Sequence, residues 1–207
     1  MANIIDLIAG QPFVYNAIQR LGGLDQTLRK LRPHFEGTEN CSVLDLGAGT
    51  GNFRQIMPAS IQYLWLDNDP LKLRGFRRRH DPGMSVLGDV TRIPLRDGSV
   101  DIVFCCAVSH HLAEEQIQML FREMARTCRR KVIFLDAVWT PESTVSRLLW
   151  RYDRGSFPRS GDRLRELMAQ SFDLIHNETY TIYHQYVLFA GTPKHANARG
   201  PEKFPKL

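Results

Sequence analysis

The stretch VLDLGAGTGN, residues 43–52, combines a carboxylate with three alternating glycines. Asp45 interrupts an apolar run, and Gly47, Gly49 and Gly51 follow it. Glycine allows close approach to the backbone and φ angles that other residues avoid. A strand followed by such a turn and a helix start forms a ligand site at the carboxyl end of the strand, where the helix N-terminus offers N–H groups to an anion. The pattern predicts a small ligand held largely by backbone.

The glycine spacing limits which ligand this is. The dinucleotide fingerprint G-x-G-x-x-G requires a glycine at the position that Asn52 occupies. Asn52 therefore argues against a pyrophosphate cofactor. The Gly-Lys-Ser/Thr sequence of a Walker A phosphate loop does not follow the glycines either.

Two further acids follow predicted strands. Asp67, in LWLDNDP, ends the second strand, where a carboxylate can accept hydrogen bonds from both hydroxyls of a ribose. NAD would use the same acid, so Asp67 alone does not discriminate between cofactors. Asp89, in LGDVTRIPL, ends the third strand and is placed to accept from the exocyclic amine of adenine. Asp69 is instead predicted to cap the helix that opens with Pro70. Asp45, Asp67 and Asp89 would share one crevice.

The elements that must position these residues follow from hydrophobic periodicity. Strands are predicted at residues 41–46, 61–66, 84–87, 100–106 and 131–135, with a closing pair at 172–179 and 182–190. Helices are predicted within 1–35 and at 52–57, 70–79, 112–127, 143–152 and 161–169. This alternation predicts a doubly wound α/β fold with a mostly parallel, seven-stranded sheet. The closing pair indicates one antiparallel strand at or near the sheet edge.

Composition fits a single soluble domain. The chain has 207 residues, 43% hydrophobic and 24% charged, with a formal net charge of +5. We expect one domain over 1–192, with a helical cap at 1–35 and a disordered basic tail at 193–207. The four cysteines show neither C-x-x-C nor zinc-ligand spacing, so we expect reduced thiols and no metal. Without a signal peptide or a membrane span, a cytoplasmic location is expected.

Taken in order, four segments resemble the class I S-adenosylmethionine-dependent methyltransferases, nearest to the small-molecule branch. They are VLDLGAGTG, LWLDNDP, LGDVTRIPLRDGSVDIVFCCAVSHHL and KVIFLDAVW, and the likeness covers roughly residues 41–190. The resemblance implies S-adenosylmethionine as cofactor and S-adenosylhomocysteine as product, with the glycines close to the methionine part. It also implies that Asp45 supports the glycine loop and the cofactor amino group, Asp67 binds ribose, and Asp89 with the Val90 backbone binds adenine. The cofactor-binding candidates are Asp45, Gly47, Ala48, Gly49, Gly51, Asp67, Asn68, Asp89, Val90, Cys106 and Tyr15.

Methyl transfer to a hydroxyl would need a base, and AVSHHL supplies His110 and His111 just after the fourth strand. We favour His110, because His111 and Leu112 are predicted to begin the next helix. A histidine at a helix start also serves as a cap or packing residue, and that alternative stays open. Asp136, ending strand five, is placed to orient substrate, and Tyr15 to reach the cofactor carboxylate.

Residues 139–158 are expected to shape the acceptor pocket, as insertions after strand five do in the family. Candidates for an apolar lining are Trp139, Trp150, Tyr152 and Phe157, and candidates for meeting an acidic group are Arg147, Arg151 and Arg154. A core helix with a solvated basic face explains the same residues, and both interpretations stand. The basic run LKLRGFRRRH, residues 71–80, is interpreted as a solvated helix face rather than a phosphate stripe.

The favoured function is methyl transfer to a small-molecule or lipid-like acceptor. A nucleic-acid methyltransferase usually carries an Asn/Asp-Pro-Pro-aromatic motif after strand four, where this chain has CCAVSHH. A cysteine nucleophile at Cys106 would need a basic activator that its neighbours do not supply. A non-catalytic cofactor-binding protein stays open. An NAD-dependent oxidoreductase is least supported, because Asn52 and the missing Tyr-x-x-x-Lys pair argue against it.

Overall fold

The computed structural model describes residues 23–77, 85–152 and 157–194. Its strands are β1 (Ser42–Leu46), β2 (Gln62–Asp67), β3 (Ser85–Leu87), β4 (Val100–Cys106), β5 (Cys128–Val138), β6 (Phe172–Thr181) and β7 (Gln185–Pro193). Its α-helices are α1 (Leu24–Leu31), α2 (Pro70–Arg77), α3 (Glu114–Thr127), α4 (Thr144–Tyr152) and α5 (Gly161–Ala169). Short 3₁₀ helices cover Arg32–Phe35, Asn52–Ile56 and Ser109–His111.

All seven strands join one sheet in the order β3-β2-β1-β4-β5-β7-β6. Strands β1 to β5 run parallel, and β7 is antiparallel to both β5 and β6. This confirms the predicted doubly wound, mostly parallel fold with one antiparallel strand beside the edge. Parallel pairing brings the carboxyl ends of β1 to β5 to one edge of the sheet, where ligands bind in open α/β sheets.

Helices cover both faces of the sheet, which is why the central strands are largely apolar. On one face, α3 buries Ile117, Leu120, Phe121 and Met124 at the spacing of a helical stripe, and α5 packs beside it. On the other face, α1 and α2 pack against the opposite side chains of β1, β2 and β4. Cys105 and Cys106, adjacent on β4, lie in the cores on opposite faces of the sheet.

Several predicted boundaries were wrong, each for a local reason. The segment 52–57 forms a five-residue 3₁₀ helix, not an α-helix, and Pro58 follows it. Helix α3 begins at Glu114 rather than residue 112, because Ala113 is extended and its N–H donates to the Gln116 side chain at 2.9 Å. Strand β7 begins at Gln185, since residues 182–184 form the turn from β6. Strand β5 is longer than the predicted 131–135.

Part of the predicted cap and site lies outside the described residues. This applies to residues 1–22, including Tyr15, and to Arg154 and residues 195–207. Helix α1 and the turn after it are the described part of the cap. Within the described ranges, no helix is long and apolar enough to cross a membrane.

Candidate active site

The glycine loop leaves β1 in a conformation that requires glycine. Gly47, Gly49 and Gly51 have φ of 67°, 59° and 76°, in the left-handed region. At Gly47 space is also lacking, because a Cβ there would lie 2.4 Å from a methyl carbon of Val108. Val108 follows β4, so the loop packs directly against the end of the neighbouring strand. The close approach of a ligand to this backbone stays a prediction, whereas the close packing of Gly47 against Val108 is observed.

Two side chains of β2 form hydrogen bonds to the backbone of the glycine loop. The Trp65 indole Nε1–H donates to the Gly49 carbonyl at 3.0 Å, and the Gly49 N–H donates to Asp67 Oδ2 at 2.9 Å. The other oxygen of Asp67 accepts the Asp69 N–H at 2.9 Å. Asp67 is only 3% exposed. Each carboxylate oxygen has a second lone pair, so Asp67 can anchor the loop and still accept from a ligand hydroxyl.

Asp45 lies one residue before the end of β1 and is 1% exposed. The Tyr63 hydroxyl donates to its carboxylate. Burial raises the pKa of Asp45 to about 8, the hydrogen bond from Tyr63 opposes the rise, and the charge of Asp67 adds to it. Asp45 and Asp67 are therefore electrostatically coupled, and a negative charge on Asp45 is destabilised by its burial. A cationic ligand group nearby would relieve that cost.

Asp89 is placed differently from Asp45 and Asp67. It lies two residues beyond β3 and is exposed, and its carboxylate accepts the N–H and hydroxyl of Thr91, both at 2.8 Å. Val90 beside it is half-buried, and Asn68 after β2 is exposed. The Gly88 N–H donates to the Asp67 carbonyl at 3.0 Å, which ties this loop to the end of β2. The rim predicted for ribose and adenine is thus continuous along the sheet edge.

The short 3₁₀ helix after Gly51 differs from the α-helix that was expected there. An α-helix N-terminus was predicted there to face an anion, but the five-residue 3₁₀ helix Asn52–Ile56 cannot provide an α-helix dipole.

Cys106 ends β4 in the core that α1 covers, and burial raises the pKa of its thiol well above the ordinary value. A thiolate at Cys106 is excluded by that environment.

His110 is positioned by a buried acid. Ala107, with φ of 56°, turns the chain at the end of β4, and His110 Nδ1 then lies 2.6 Å from Asp136 Oδ1. Asp136 is 0% exposed and also accepts the Ser109 N–H, the Ser109 hydroxyl and the Ala137 N–H, at 2.6 to 2.8 Å. Burial by itself would raise the pKa of Asp136, but the attraction of His110 and these hydrogen bonds bring it below the ordinary value. Asp136 therefore stays ionised and orients His110.

His111 differs from His110 in exposure. His110 is buried, whereas His111 is exposed on the same 3₁₀ turn, with its N–H donating to the Val108 carbonyl at 3.0 Å. The prediction had placed His111 at the start of a helix, which in fact begins three residues later. His110 has Asp136 as a carboxylate partner at hydrogen-bond distance.

Sequence reasoning missed Arg159, which fixes the histidine turn. Its guanidinium donates to the carbonyls of Ser109 and Leu112 at 3.0 and 2.7 Å, one on each side of the histidines. It also pairs with Glu114 at 2.9 Å, and its side chain is only 8% exposed. The Phe157 N–H donates to the His110 carbonyl at 3.0 Å. The insertion after β5 thus holds the turn in place, a contact across about fifty residues that no local pattern signals.

A row of rings extends from His110, and we call it the ring row. Trp150 meets His110 edge-on at 5.8 Å between centroids, and His184 meets Trp150 at 5.2 Å. Tyr186 follows at 6.2 Å from His184, and Tyr180 stacks on Tyr186 at 5.5 Å. Trp150 was predicted to line an acceptor pocket, whereas the others were missed because they come from the β6–β7 hairpin.

The other predicted pocket residues lie elsewhere. Trp139 lines a separate groove of about 560 Å³, with Val187 and Phe189 on the opposite sheet face from Tyr186. Phe157 is 41% exposed, and Arg147 donates to the Pro141 carbonyl and the Thr144 hydroxyl. Arg151 is exposed, and the Tyr152 side chain lies outside the described residues. Over the described ranges, no cluster of three metal-ligating side chains occurs.

Comparison with known proteins gives a consistent result. Residues 44–135, from β1 to β5, match the model of the methyltransferase domain family. The chain is 31% identical over 180 residues to a malonyl-[acyl-carrier protein] O-methyltransferase of Methylococcus capsulatus, covering 79% of this chain and 63% of that protein. The chain spans less than two thirds of the length of the curated relatives it matches.

Solved structures share the fold. The PH0226 protein from Pyrococcus horikoshii superposes with a TM-score of 0.69 at 18% identity, covering 87% of this chain and 92% of that one. A geranyl diphosphate C-methyltransferase from Streptomyces coelicolor, in complex with S-adenosyl-L-homocysteine, superposes with a TM-score of 0.66 at 13% identity. That match covers 82% of this chain and 80% of the other. At these identities the likeness establishes a common fold.

Proposed function

Because the chain belongs to the class I S-adenosylmethionine-dependent methyltransferases, whose cofactor is S-adenosylmethionine, we propose that it methylates a small-molecule or lipid-like acceptor by in-line displacement. The Methylococcus relative is named for a malonyl group on a carrier protein, and the Streptomyces enzyme for geranyl diphosphate. Those names support a small or lipid-like acceptor here, in preference to nucleic acid.

One observation carries the proposal. Val108 packs against Gly47 of the glycine loop, and His110, two residues further on, is bonded to Asp136. The loop predicted to hold the cofactor and the residue predicted to take a proton therefore lie on adjacent strand ends. Methyl transfer requires that adjacency, because the acceptor must be held in line with the methyl group at near-attack distance.

The hydrogen-bond acceptors of the site suit the cofactor. Asp67 offers carboxylate lone pairs for ribose hydroxyls, and the exposed Asp89 offers the same for an exocyclic amine. The buried, destabilised charge of Asp45 favours a cationic ligand close by. When bound, S-adenosylmethionine supplies an electrophilic methyl group on a sulfonium. The chain's own part is to bind the cofactor and the acceptor and to accept a proton at His110.

The experiment is a partition assay with S-adenosylmethionine tritiated in the methyl group. Purified protein is incubated with a small-molecule extract, with RNA and DNA, and with protein, and the label is counted in each fraction. We expect label in the small-molecule or organic-solvent fraction. Label confined to nucleic acid or to amino-acid side chains of protein, or in no fraction, would contradict the proposal.

A further inference from the structure

We propose that His34 is a pH-sensitive switch: uncharged, it holds helix α1 on the sheet, and its protonation below about pH 6 loosens α1 and weakens cofactor binding. The effect on the cofactor rests on the proposed function, because it assumes that the glycine loop holds S-adenosylmethionine. His34 lies in the 3₁₀ turn Arg32–Phe35 directly after α1, and methyl transfer makes no use of it.

Contacts between the cap and strand β6 extend along the whole of α1. From the start of the helix to the turn after it, the pairs are Gly23 with Ile182, Lys30 with Glu178, and His34 with His176. The rings of His34 and His176 meet edge-on with their centroids 4.7 Å apart. His176 and Glu178 share one face of β6, because alternate residues of a strand point the same way. His34 therefore forms the last contact that joins α1 to this face.

The charges around His34 disfavour a proton on its ring. Lys131 of β5 donates its ammonium group to the His34 carbonyl at 2.8 Å, and His176 of β6 faces the ring. The nearby acid is Glu178, which pairs with Lys30 of α1 and lies 3.7 Å from Nε2 of His176. Within the described ranges no carboxylate is hydrogen-bonded to the His34 ring. Protonation would thus place a cation beside Lys131 without an acid of its own.

The titration of His34 gives the direction of the switch. Burial lowers the pKa of His34 from 6.5 to about 4, the charges of Lys131 and His176 add to the decrease, and Glu178 opposes it. A His34 released into solvent regains its ordinary pKa. Docked α1 therefore holds fewer protons than released α1 between about pH 4 and pH 6.5, and docking weakens as pH falls through that window. The hydrogen bond from Lys30 keeps the pKa of Glu178 below its ordinary value, so that acid stays charged there.

Helix α1 also packs behind the glycine loop. Leu24 and Leu28 of α1 belong to the same buried core as Ala48 of the loop. The helix contacts the 3₁₀ helix Asn52–Ile56, which follows the loop directly. Loosening of α1 therefore removes packing from the loop that is proposed to hold the cofactor. This contact connects His34 to cofactor affinity.

Hydrogen exchange of the cofactor-free protein, read by mass spectrometry at pH 5.5 and pH 7.5 and corrected for intrinsic rates, tests the switch. His34→Gln keeps a polar side chain that does not titrate in this range. Lys131→Met removes the cation that faces His34. Arg130→Met is the matched control, because the Arg130 guanidinium interacts with the Cys41 sulfur instead. Peptides from β4 serve as the internal control.

We expect residues 24–35 to exchange about 3- to 10-fold faster at pH 5.5 than at pH 7.5 in wild type and Arg130→Met, with β4 unchanged. The acceleration should be smaller in Lys131→Met and absent in His34→Gln. No acceleration in wild type, or an equal acceleration in His34→Gln, would overturn the switch.

Titration calorimetry with S-adenosylhomocysteine at the same two pH values tests the link to the cofactor. Affinity should fall from pH 7.5 to pH 5.5 in wild type, and fall less in His34→Gln. An equal fall in both proteins, or no fall in wild type, would overturn that link. Absence of binding at both pH values would contradict the proposed function, and the exchange result would still decide whether His34 controls α1.

Discussion

Asp136 and His110 form a buried pair, with Oδ1 of the carboxylate 2.6 Å from Nδ1 of the imidazole. Strand β5 places Asp136 at the carboxyl edge of the sheet, and the turn after β4 places His110 there. Strands β4 and β5 are hydrogen-bonded neighbours. The pair is therefore positioned by two neighbouring strands in the middle of the sheet. This makes Asp136 a positioning residue whose effect should appear in turnover.

Asp136→Asn should lower turnover by about 100-fold or more while leaving the Kd for S-adenosylmethionine unchanged. The amide can donate to Nδ1 and so favour the tautomer with hydrogen on Nε2, which cannot take a proton. Single-turnover rates and calorimetry measure the two effects. Asp101→Asn, on the other end of β4 with Ser42 as partner, is the control, and should lower stability without a comparable loss of turnover. Parallel losses in both variants would show that Asp136 is merely structural.

Asp67→Asn should weaken S-adenosylmethionine binding about tenfold or more, which is roughly 1.4 kcal/mol. The variant keeps the size of the side chain and loses the charge that strengthens hydrogen bonds to hydroxyls. Asp69→Asn is the matched control, because Asp69 caps α2 by accepting the Leu71 N–H at 2.8 Å. Titration calorimetry of both variants decides the matter. Equal affinities for Asp67→Asn and wild type would remove the ribose assignment.

Asp45→Asn should stabilise the protein at alkaline pH. Burial raises the folded pKa of Asp45 to about 8, well above that of the unfolded chain. The folded state therefore holds an extra proton between about pH 4 and pH 8, and the stability of the wild type falls as pH rises through that window. Removing the acid should raise Tm by several degrees at pH 9, on the order of 1–2 kcal/mol, and by less at pH 5. Asp162→Asn, with a largely exposed side chain, is the control.

A Tm difference between Asp45→Asn and wild type that stays constant from pH 5 to pH 9 would contradict the raised pKa. The same variant should bind S-adenosylmethionine more weakly, because a neutral amide attracts its cationic groups less than a carboxylate does. Titration calorimetry at pH 9 measures the loss of affinity, and thermal unfolding at the same pH measures the gain in stability.

Arg159→Lys should lower Tm by about 4–8 °C, on the order of 2 kcal/mol, and lower turnover as well. Lysine keeps the charge but cannot reach the Ser109 and Leu112 carbonyls and Glu114 together, because it lacks the planar fork. Arg165→Lys, whose exposed side chain pairs with Asp162, should leave both quantities nearly unchanged. Unaltered turnover in Arg159→Lys would show that the histidine turn holds without this contact.

Sequence patterns predicted the sheet, its strand directions and the strand ends that carry Asp67 and His110. These features depend on local properties: continuous apolar runs, helical stripes and glycine spacing. The predicted strand at 41–46 also put Asp45 one residue before its end, as it is in β1, but the pattern did not indicate its contact with Tyr63.

The long-range contacts that hold the site residues in place could not be predicted from local sequence patterns. Trp65 reaches Gly49 across two neighbouring strands, and Arg159 reaches Ser109 over fifty positions of chain. His184 and Tyr186 join Trp150 only because the β6–β7 hairpin returns beside β5. Each contact depends on tertiary packing, which periodicity within one element does not encode. Sequence patterns therefore singled out His110, Asp136 and Trp150, but not Arg159, His184 or Tyr186.

The most direct measurement is titration calorimetry of the purified protein with S-adenosylmethionine, S-adenosylhomocysteine and NAD. The account predicts saturable one-to-one binding of the first two, with Kd below about 1 mM, and no binding of NAD. Absence of binding heat with both sulfur compounds at any pH between 6 and 9, or saturable binding of NAD in their place, would contradict it.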